Sequence, residues 1–221
     1  MISMPEYRTE PLIVPVVSGL LPEGERSRRA ALTSFASRSE REKPRVPQQE
    51  IVCYECGRAC KVPSAALSAN CSHCHAHLKM TDVELRPGAQ RLTVRTLGKV
   101  TVLPDAVLSQ VSVVCGKCLL LGRASGTYRC LGKMRVSCDN CLEGSVQANY
   151  LEVERSVSLT LKQGATVDTL VIAGRVTGRI VARREVILRR GAELVGDCHA
   201  PVLKKEKGAV HRGIWYEVEP E

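Results

Sequence analysis

Eight of the eleven cysteines fall in four Cys-x-x-Cys pairs, and thiols at this spacing are the ligands that a tetrahedral metal ion requires. The first two pairs are Cys53-Tyr-Glu-Cys56 and Cys71-Ser-His-Cys74, which are separated by residues 57–70. Two cysteines across a tight turn can hold one side of an ion, and a second such turn completes the tetrahedron. The sequence therefore predicts a zinc site formed by Cys53, Cys56, Cys71 and Cys74, although the separation is slightly shorter than usual.

This zinc site would organise a small zinc-ribbon-like module over residues 49–82. A unit of that size can hardly fold without its metal. Redox chemistry at these pairs is less favoured, because no thioredoxin-like alternation of strands and helices surrounds them. Four further donors lie close by and are interpreted as bystanders rather than ligands: Cys60, His73, His75 and His77.

The third and fourth pairs are separated by residues 119–137, a longer interval that fits the common zinc spacing better than the first two pairs do. They nevertheless lie inside a repeat of short apolar strands, where a buried thiol behaves as a small hydrophobic residue. We therefore favour core positions and leave a second metal site open at Cys115, Cys118, Cys138 and Cys141. Cys130 and Cys198 are predicted to be core residues.

Composition indicates a layered core and an intracellular setting. Hydrophobic residues make up 44% of the 221 residues and aromatic residues only 3%, which suits thin layers of aliphatic side chains. No apolar stretch is long enough to cross a bilayer, and clustered cysteines without a secretion signal indicate a reducing, cytoplasmic location. The net charge of +9 makes nucleic acid or an anionic membrane surface a plausible partner, while a solvated tail explains it as well.

Residues 1–48 are predicted to be a disordered, Pro-rich basic tail. Its apolar patch, Leu12 to Val17, could contact a membrane or another protomer. A short apolar patch of linker is the favoured interpretation, because such patches are common on protein surfaces.

The secondary structure after the cysteine-rich module is predicted from a sequence repeat. Four five-residue segments start with Gly, carry a bulky or apolar third residue, and carry a small fifth residue. The segments are Gly126 to Cys130, Gly144 to Ala148, Gly178 to Ala182 and Gly196 to Ala200. The first and last intervals between their starts are equal, and the middle interval is nearly twice as long, so it is read as two turns. The register is poor near Leu161.

A period of about 18 residues with several short strands is typical of one turn of a β-solenoid. One turn cannot bury its inner face alone, whereas stacked turns form a continuous core of like residues in columns. Residues 90–218 are therefore predicted to form about seven stacked turns. A β-sandwich is the alternative, but sandwich strands do not align small residues in a column.

The C-terminal part of this repeat resembles the bactofilin family. The residues that carry the resemblance are Val176 to Leu188, then Gly191 to Pro201, then Gly208 to Gly213. The family repeats a Gly-x-[Ile/Val]-x-Ala unit followed by Gly-Ala-x-Val-x-Gly-Asp. The resemblance implies an all-β fold, a right-handed parallel β-helix, which polymerises end to end without nucleotide into filaments at the bacterial membrane.

The end of the solenoid fits that implication, because an uncapped stack presents unpaired strand edges. The chain finishes on an apolar group that would dock the next protomer or, alternatively, fold over the core as a cap: Ile214, Trp215, Tyr216 and Val218.

Three classes of function remain after these observations. The leading hypothesis is a non-enzymatic scaffold that polymerises with itself, with the tail and the zinc module contacting an anionic membrane or another protein. The second is a zinc-ribbon module that binds nucleic acid or protein on an oligomeric β-helix platform. Nucleic acid is not favoured, because only Tyr54 is available there for base stacking. An enzyme is least favoured, since no carboxylates converge at the derived period.

Overall fold

The computed structural model describes residues 47–88 and 92–219. The predicted disordered tail, with its apolar patch from Leu12 to Val17, lies outside the described residues except for its last two positions. Every regular element in the described part of the chain is a β-strand. The predicted all-β class is confirmed.

Two antiparallel hairpins come first and form what we call the cysteine module, residues 48–80. Strands β1 (Gln48–Val52) and β2 (Ala59–Pro63) pair with each other, as do β3 (Ser68–Asn70) and β4 (His77–Lys79). Each hairpin turn, or the residues beside it, carries one Cys-x-x-Cys pair. The two hairpins share a small interior built around Cys53, Cys71 and Leu78, all of which are at most 1% exposed.

The rest of the chain winds into a parallel β-helix, in which every strand pairs with the strand one turn earlier or later. Its first strands are β5 (Val83–Leu85), β6 (Thr93–Arg95), β7 (Lys99–Val102), β8 (Val107–Cys115), β9 (Lys117–Leu120), β10 (Arg123–Val136), β11 (Asn140–Leu142) and β12 (Val146–Val153). The later strands are β13 (Ser158–Leu161), β14 (Ala165–Ile172), β15 (Arg175–Thr177), β16 (Ile180–Leu188), β17 (Glu193–Val195), β18 (Cys198–His199), β19 (Val202–Lys205), β20 (Val210–Arg212) and β21 (Trp215–Tyr216). The predicted parallel β-helix is confirmed.

The number of turns follows from one inward column that can be traced through the whole stack. Paired positions on successive turns are Leu85, Val102, Leu120, Val136, Val153, Ile172, Leu188 and Lys205. These are eight layers, about 34 Å from first to last at a strand spacing of roughly 4.8 Å. The sequence predicted about seven turns from residue 90, whereas the stack already starts at β5.

The repeat predicted from the sequence matches the strand register. Tyr128 pairs with Val146 and Cys130 pairs with Ala148. A bulky side chain therefore stacks on an apolar one, and a small side chain stacks on another small one. Ile180 pairs with Cys198 in the same way. Cys130 is 2% exposed and Cys198 is fully buried, as expected for core residues.

The irregular stretch near Leu161 contains turns of unequal length rather than a break. Ala165 occupies the inward position between Val146 and Ile180, so the step before it is longer than the regular spacing and the step after it is shorter. Gly164, immediately before β14, has a φ of 76°, a backbone conformation that favours glycine. A fixed period could not reveal these turns, because the corner loops absorb the difference in length.

Glycines at one corner allow successive turns to come into contact. A Cβ on Gly116 would lie 2.0 Å from the backbone oxygen of Leu97 on the preceding turn, so no other residue fits there. Gly98 and Gly132 occupy the same corner one turn earlier and later, and each has a backbone oxygen within 2.6 Å of the position of a Cβ. The three Gly-Lys dipeptides of the sequence therefore mark one edge of the rod.

Candidate metal centre and assembly end

The two Cys-x-x-Cys turns of the cysteine module have the same backbone geometry. The amide of Gly57 donates to the carbonyl oxygen of Cys53, and the amide of His75 donates to that of Cys71. Both turns end in a left-handed residue, with φ of 71° at Gly57 and 59° at His75. In each turn an amide two residues after the first cysteine also points at its sulfur, at 3.4 Å.

The four sulfur atoms that these turns present lie within 4.8 Å of one another. Cys53 Sγ is 3.7 Å from Cys74 Sγ, and Cys56 Sγ is 3.7 Å from Cys71 Sγ. Four sulfurs at about 2.3 Å from a central zinc ion stand about 3.8 Å apart along the edges of a tetrahedron. The cluster could therefore hold a metal ion with little rearrangement. In the described part of the chain it is the one group of this kind.

The electrostatics of the cluster also suit a cation. The backbone amides of Cys74 and His73 lower the pKa of the Cys71 thiol to about 6, because they stabilise its thiolate. At Cys74 the amide of Ala76 acts in the same direction, but burial and hydrogen bonds to the neighbouring thiols raise its pKa to about 12. Ionisation of one thiol therefore disfavours ionisation of the next. A divalent cation at the centre would relieve the repulsion between thiolates.

The spare donors near the cluster make other contacts. The His73 ring nitrogen Nε2 lies 3.1 Å from the carbonyl oxygen of Ala59, and His77 Nδ1 lies 3.3 Å from Asn70 Oδ1. Cys60 is buried, and its burial raises the pKa of its thiol. These placements agree with their interpretation as bystanders.

The cysteine module is fastened to the side of the β-helix, which the sequence did not indicate. Its interior packs against Leu97, Val114 and Leu131 on three successive turns. The Arg95 guanidinium lies 2.8 Å from the Glu55 carboxylate and 5.5 Å from the centre of the Tyr54 ring. Contacts between residues this far apart leave no local signal in the sequence.

A second helix residue contacts the same tyrosine. Arg129 donates to the backbone oxygen of Tyr54 at 3.4 Å, although the two residues lie far apart in sequence. Tyr54 itself is only 4% exposed, and its hydroxyl donates to the carbonyl oxygen of His77. This tyrosine is therefore not available for stacking against a nucleic-acid base.

The other two Cys-x-x-Cys pairs lie apart from this cluster. Cys115 and Cys118 point into the helix core and are buried, whereas Cys141 points outward from β11 and is exposed. Cys138 is half-buried and donates to the carbonyl oxygen of Gly122 at 2.9 Å. Because alternate strand positions face opposite sides, Cys141 cannot turn inward to join the buried pair.

The C-terminal end of the helix carries most of the exposed large hydrophobic side chains of the described residues. Six of the nine such residues belong to the last turn and the segment after it: Val202, Val210, Ile214, Trp215, Tyr216 and Val218. Within the described ranges, the strands of this turn each have one partner. Strand β19 pairs with β16, β20 with β17, and β21 with β18. The last turn therefore offers an apolar surface and an unpaired strand edge together.

Trp215 has features of both alternatives that the sequence left open, a cap over the core and a docking surface for another protomer. It pairs with Cys198 in the inward column, and its indole N–H donates to the carbonyl oxygen of Ala200 at 3.0 Å. Both residues beneath it are fully buried, so Trp215 covers the core. The ring is still 41% exposed, and Tyr216 beside it stacks on His199 with ring centres 4.5 Å apart.

The N-terminal end of the helix is also open along its strands. Strand β5 pairs only with β7 and β6 only with β8 among the described residues. No helix in the described ranges is long and apolar enough to cross a membrane.

Comparison with known proteins adds one match. Residues 160–215 match the model of the bactofilin family, which is described as polymer-forming and cytoskeletal. No curated protein and no solved structure shows a significant match to the chain. The matched residues form the last turns of a parallel β-solenoid that already begins at β5. The last turns of the continuous parallel β-helix are thus similar to the bactofilin family.

Proposed function

We propose that the protein is a non-enzymatic cytoskeletal scaffold of the cytoplasm whose β-helices join end to end into filaments without nucleotide. The family is a structural one, described as polymer-forming. The observation that carries the proposal is the last turn, where Ile214, Trp215, Tyr216 and Val218 are each at least 37% exposed beside a strand edge with one free side. Burying these side chains and pairing that edge would favour contact with another protomer.

The polymerisation end can be tested with two matched variants. Ile214→Glu places a charge on the proposed contact, where the isoleucine is 56% exposed. Thr160→Glu places the same charge on the side of the rod, at an exposed threonine that pairs with Cys141 on one turn and Thr177 on the other. Negative-stain electron microscopy of the purified full chain should show filaments for the wild type and for Thr160→Glu but not for Ile214→Glu. Monomers of the wild type under all salt conditions would contradict the proposal.

We propose further that the cysteine cluster binds zinc and that the metal folds the cysteine module. The donor set of four thiols and the 3.7 Å sulfur separations support zinc, which takes such closed tetrahedral sites as structural metal. Cys53 and Cys71 would form the buried side of the site, and Cys56 and Cys74 the outer side. In this interpretation the ion stabilises a fold and takes no part in a reaction.

Metal analysis of variants tests the zinc site. The wild type should carry one zinc per chain after purification without added metal. Cys56→Ser should lose it, because three thiols cannot close the site. Cys141→Ser, which removes an exposed thiol elsewhere, should keep it. Two zinc ions per chain, with one lost in Cys141→Ser, would instead assign a second site to Cys115, Cys118, Cys138 and Cys141.

The module would then be a fixed part of the filament surface, available to another protein. Nucleic acid is a weaker candidate, because the basic side chains next to the module, Arg95 and Arg129, are used to hold it in place. An anionic membrane surface contacted through the tail remains a proposal based on sequence alone.

A further inference from the structure

Several charged side chains on the outside of the helix pair with an opposite charge on the neighbouring turn. Arg189 lies 2.6 Å from Glu206, Lys204 lies 2.7 Å from Glu185, and Lys162 lies 2.7 Å from Glu143. Each pair bridges adjacent layers of the stack. Opposite charges on neighbouring strands are the favourable arrangement, and like charges there are unfavourable.

One outward row departs from this pattern. Lys99 pairs in register with Lys117, and Lys133 follows on the next turn because its neighbour Met134 pairs with Cys118. Three lysines are therefore stacked at intervals of about 4.8 Å along the rod. We call them the lysine ladder. Each follows one of the corner glycines, which fixes the lysines to one edge of the helix face.

The lysine ladder borders a shallow depression of about 250 Å³. Arg135 lines it together with the three lysines, and Cys118 and Leu119 form its floor. Lys133 contacts Glu152 at 2.7 Å, and Arg135 contacts Glu154 at 2.6 Å. Lys99 and Lys117 have no acidic partner for their ammonium groups in the described part of the chain, which leaves the depression positively charged.

We propose that the lysine ladder is a binding site for phosphate groups. The two ammonium groups without an acidic partner, those of Lys99 and Lys117, can contact a compact anion together, and Lys133 and Arg135 line the same depression beside their glutamates. The adjacent ring of Tyr150 has the Lys133 ammonium over one face, 5.1 Å from the ring centre. The site recognises the phosphate itself. It is independent of the assembly end, and in a filament it would recur once per protomer.

Calorimetric titration with pyrophosphate at low ionic strength tests the site. The double variant Lys99→Gln/Lys117→Gln should bind pyrophosphate about tenfold more weakly than the wild type, or worse. The control Arg179→Gln/Arg184→Gln removes the same charge from exposed positions elsewhere on the helix and should bind like the wild type. Equal losses in both variants, or none in the lysine variant, would overturn the proposal. Both should keep the wild-type circular dichroism spectrum.

Sedimentation with vesicles distinguishes the source of the phosphate. If the natural ligand is a lipid headgroup, the full chain should sediment with phosphatidylglycerol vesicles but not with phosphatidylcholine vesicles. The lysine variant should lose that binding. Binding of pyrophosphate without vesicles points to a soluble phosphate ligand. Binding of duplex DNA but of neither pyrophosphate nor vesicles would overturn the proposal.

Discussion

Asn140 shows how one polar residue is accommodated in an apolar column. On the following turns the same column holds Leu159 and Val176, yet Asn140 is only 8% exposed. Its Oδ1 accepts from the Ala124 amide at 2.9 Å, and its Nδ2 donates to the Gly122 carbonyl oxygen at 3.1 Å. The side chain thus provides hydrogen-bond partners for one backbone amide and one backbone carbonyl group of the preceding turn.

Replacing this asparagine with the residue of the next turn should therefore destabilise the protein. Asn140→Leu leaves a buried amide and a buried carbonyl without partners, which costs about 2 kcal/mol despite the added apolar surface. Thermal unfolding followed by circular dichroism should show a clearly lower midpoint.

Asn149→Leu is the matched control. Asn149 also donates to a carbonyl oxygen, that of Leu131 at 2.7 Å, but it is exposed, so water can take over the contact. A midpoint for Asn140→Leu equal to that of the control would show that the hydrogen bonds contribute nothing.

Individual strands are joined at the corners by ion pairs between turns. Arg189 at the end of β16 pairs with Glu206 after β19, and the backbone amide of Arg190 donates to the same carboxylate at 3.0 Å. The contact with Arg189 is the main cause that holds the pKa of Glu206 below its ordinary value of 4.5, and the hydrogen bond from the Arg190 amide adds to it. A carboxyl group whose pKa is lowered by folding stabilises the folded state only when it is ionised.

The contribution of Glu206 should therefore depend on pH. Glu206→Gln should lower the unfolding midpoint at neutral pH, because the contribution is fully present above the unfolded pKa. The difference from the wild type should shrink as pH falls through the lowered pKa of the folded state, where the carboxylate is protonated. Thermal unfolding across a pH series measures this. A difference that stays constant down to acidic pH would rule out the ion pair as its cause.

The cysteine module and the helix are expected to differ in their dependence on metal. The module has four short strands and a small interior around the thiols, whereas the helix has its own continuous core. A chelator should therefore unfold the module alone.

Hydrogen exchange with mass spectrometry tests this expectation. After chelation, peptides from residues 48–80 should exchange rapidly, while those from residues 99–205 should stay protected. Adding zinc back should restore protection. Loss of protection throughout the helix would mean that the module is required for the helix to fold. Unchanged protection of residues 48–80 would mean that the module folds without metal.

At the largest scale, the described β-helix is a one-dimensional stack in which the strands of each turn pair with those of the neighbouring turns. Leu170 lies in a central layer with a partner on each side, β12 and β16. Leu85 lies in the first layer and, among the residues that the structure describes, has a strand partner on one side only. The two leucines are buried to almost the same extent, at 0% and 4% exposure.

Truncating the two leucines should therefore have unequal effects. Leu170→Ala creates a cavity between two turns and should cost about 3 kcal/mol. Leu85→Ala should cost clearly less, since the first layer can fray without disturbing the others. Chemical unfolding of both variants, followed by circular dichroism, compares them. Equal losses would indicate a single cooperative unit without independent layers.

Much of the architecture could be predicted from the sequence because a solenoid repeats its own pattern locally. Small and bulky positions such as Cys130 and Tyr128 recur at nearly constant intervals, and stacking requires them to. The four cysteines that could hold a metal ion were identifiable for the same reason, since both turns around Cys53 and Cys71 are local structures. The period failed only near Ala165, where a longer turn and a shorter turn average to the expected length.

Contacts between parts of the chain that lie far apart in sequence were decided by the tertiary structure. Arg129 and Tyr54 are distant along the chain, and only the winding of the helix brings them together to seat the cysteine module. The lysine ladder likewise depends on exact register, because a shift of one residue would turn these side chains into the core. Cys-x-x-Cys spacing alone could not separate the thiols that converge from those that do not, since inward or outward direction is set by strand pairing. Local patterns thus fix the repeat and the candidate metal ligands, and strand pairing between turns fixes which surfaces they form.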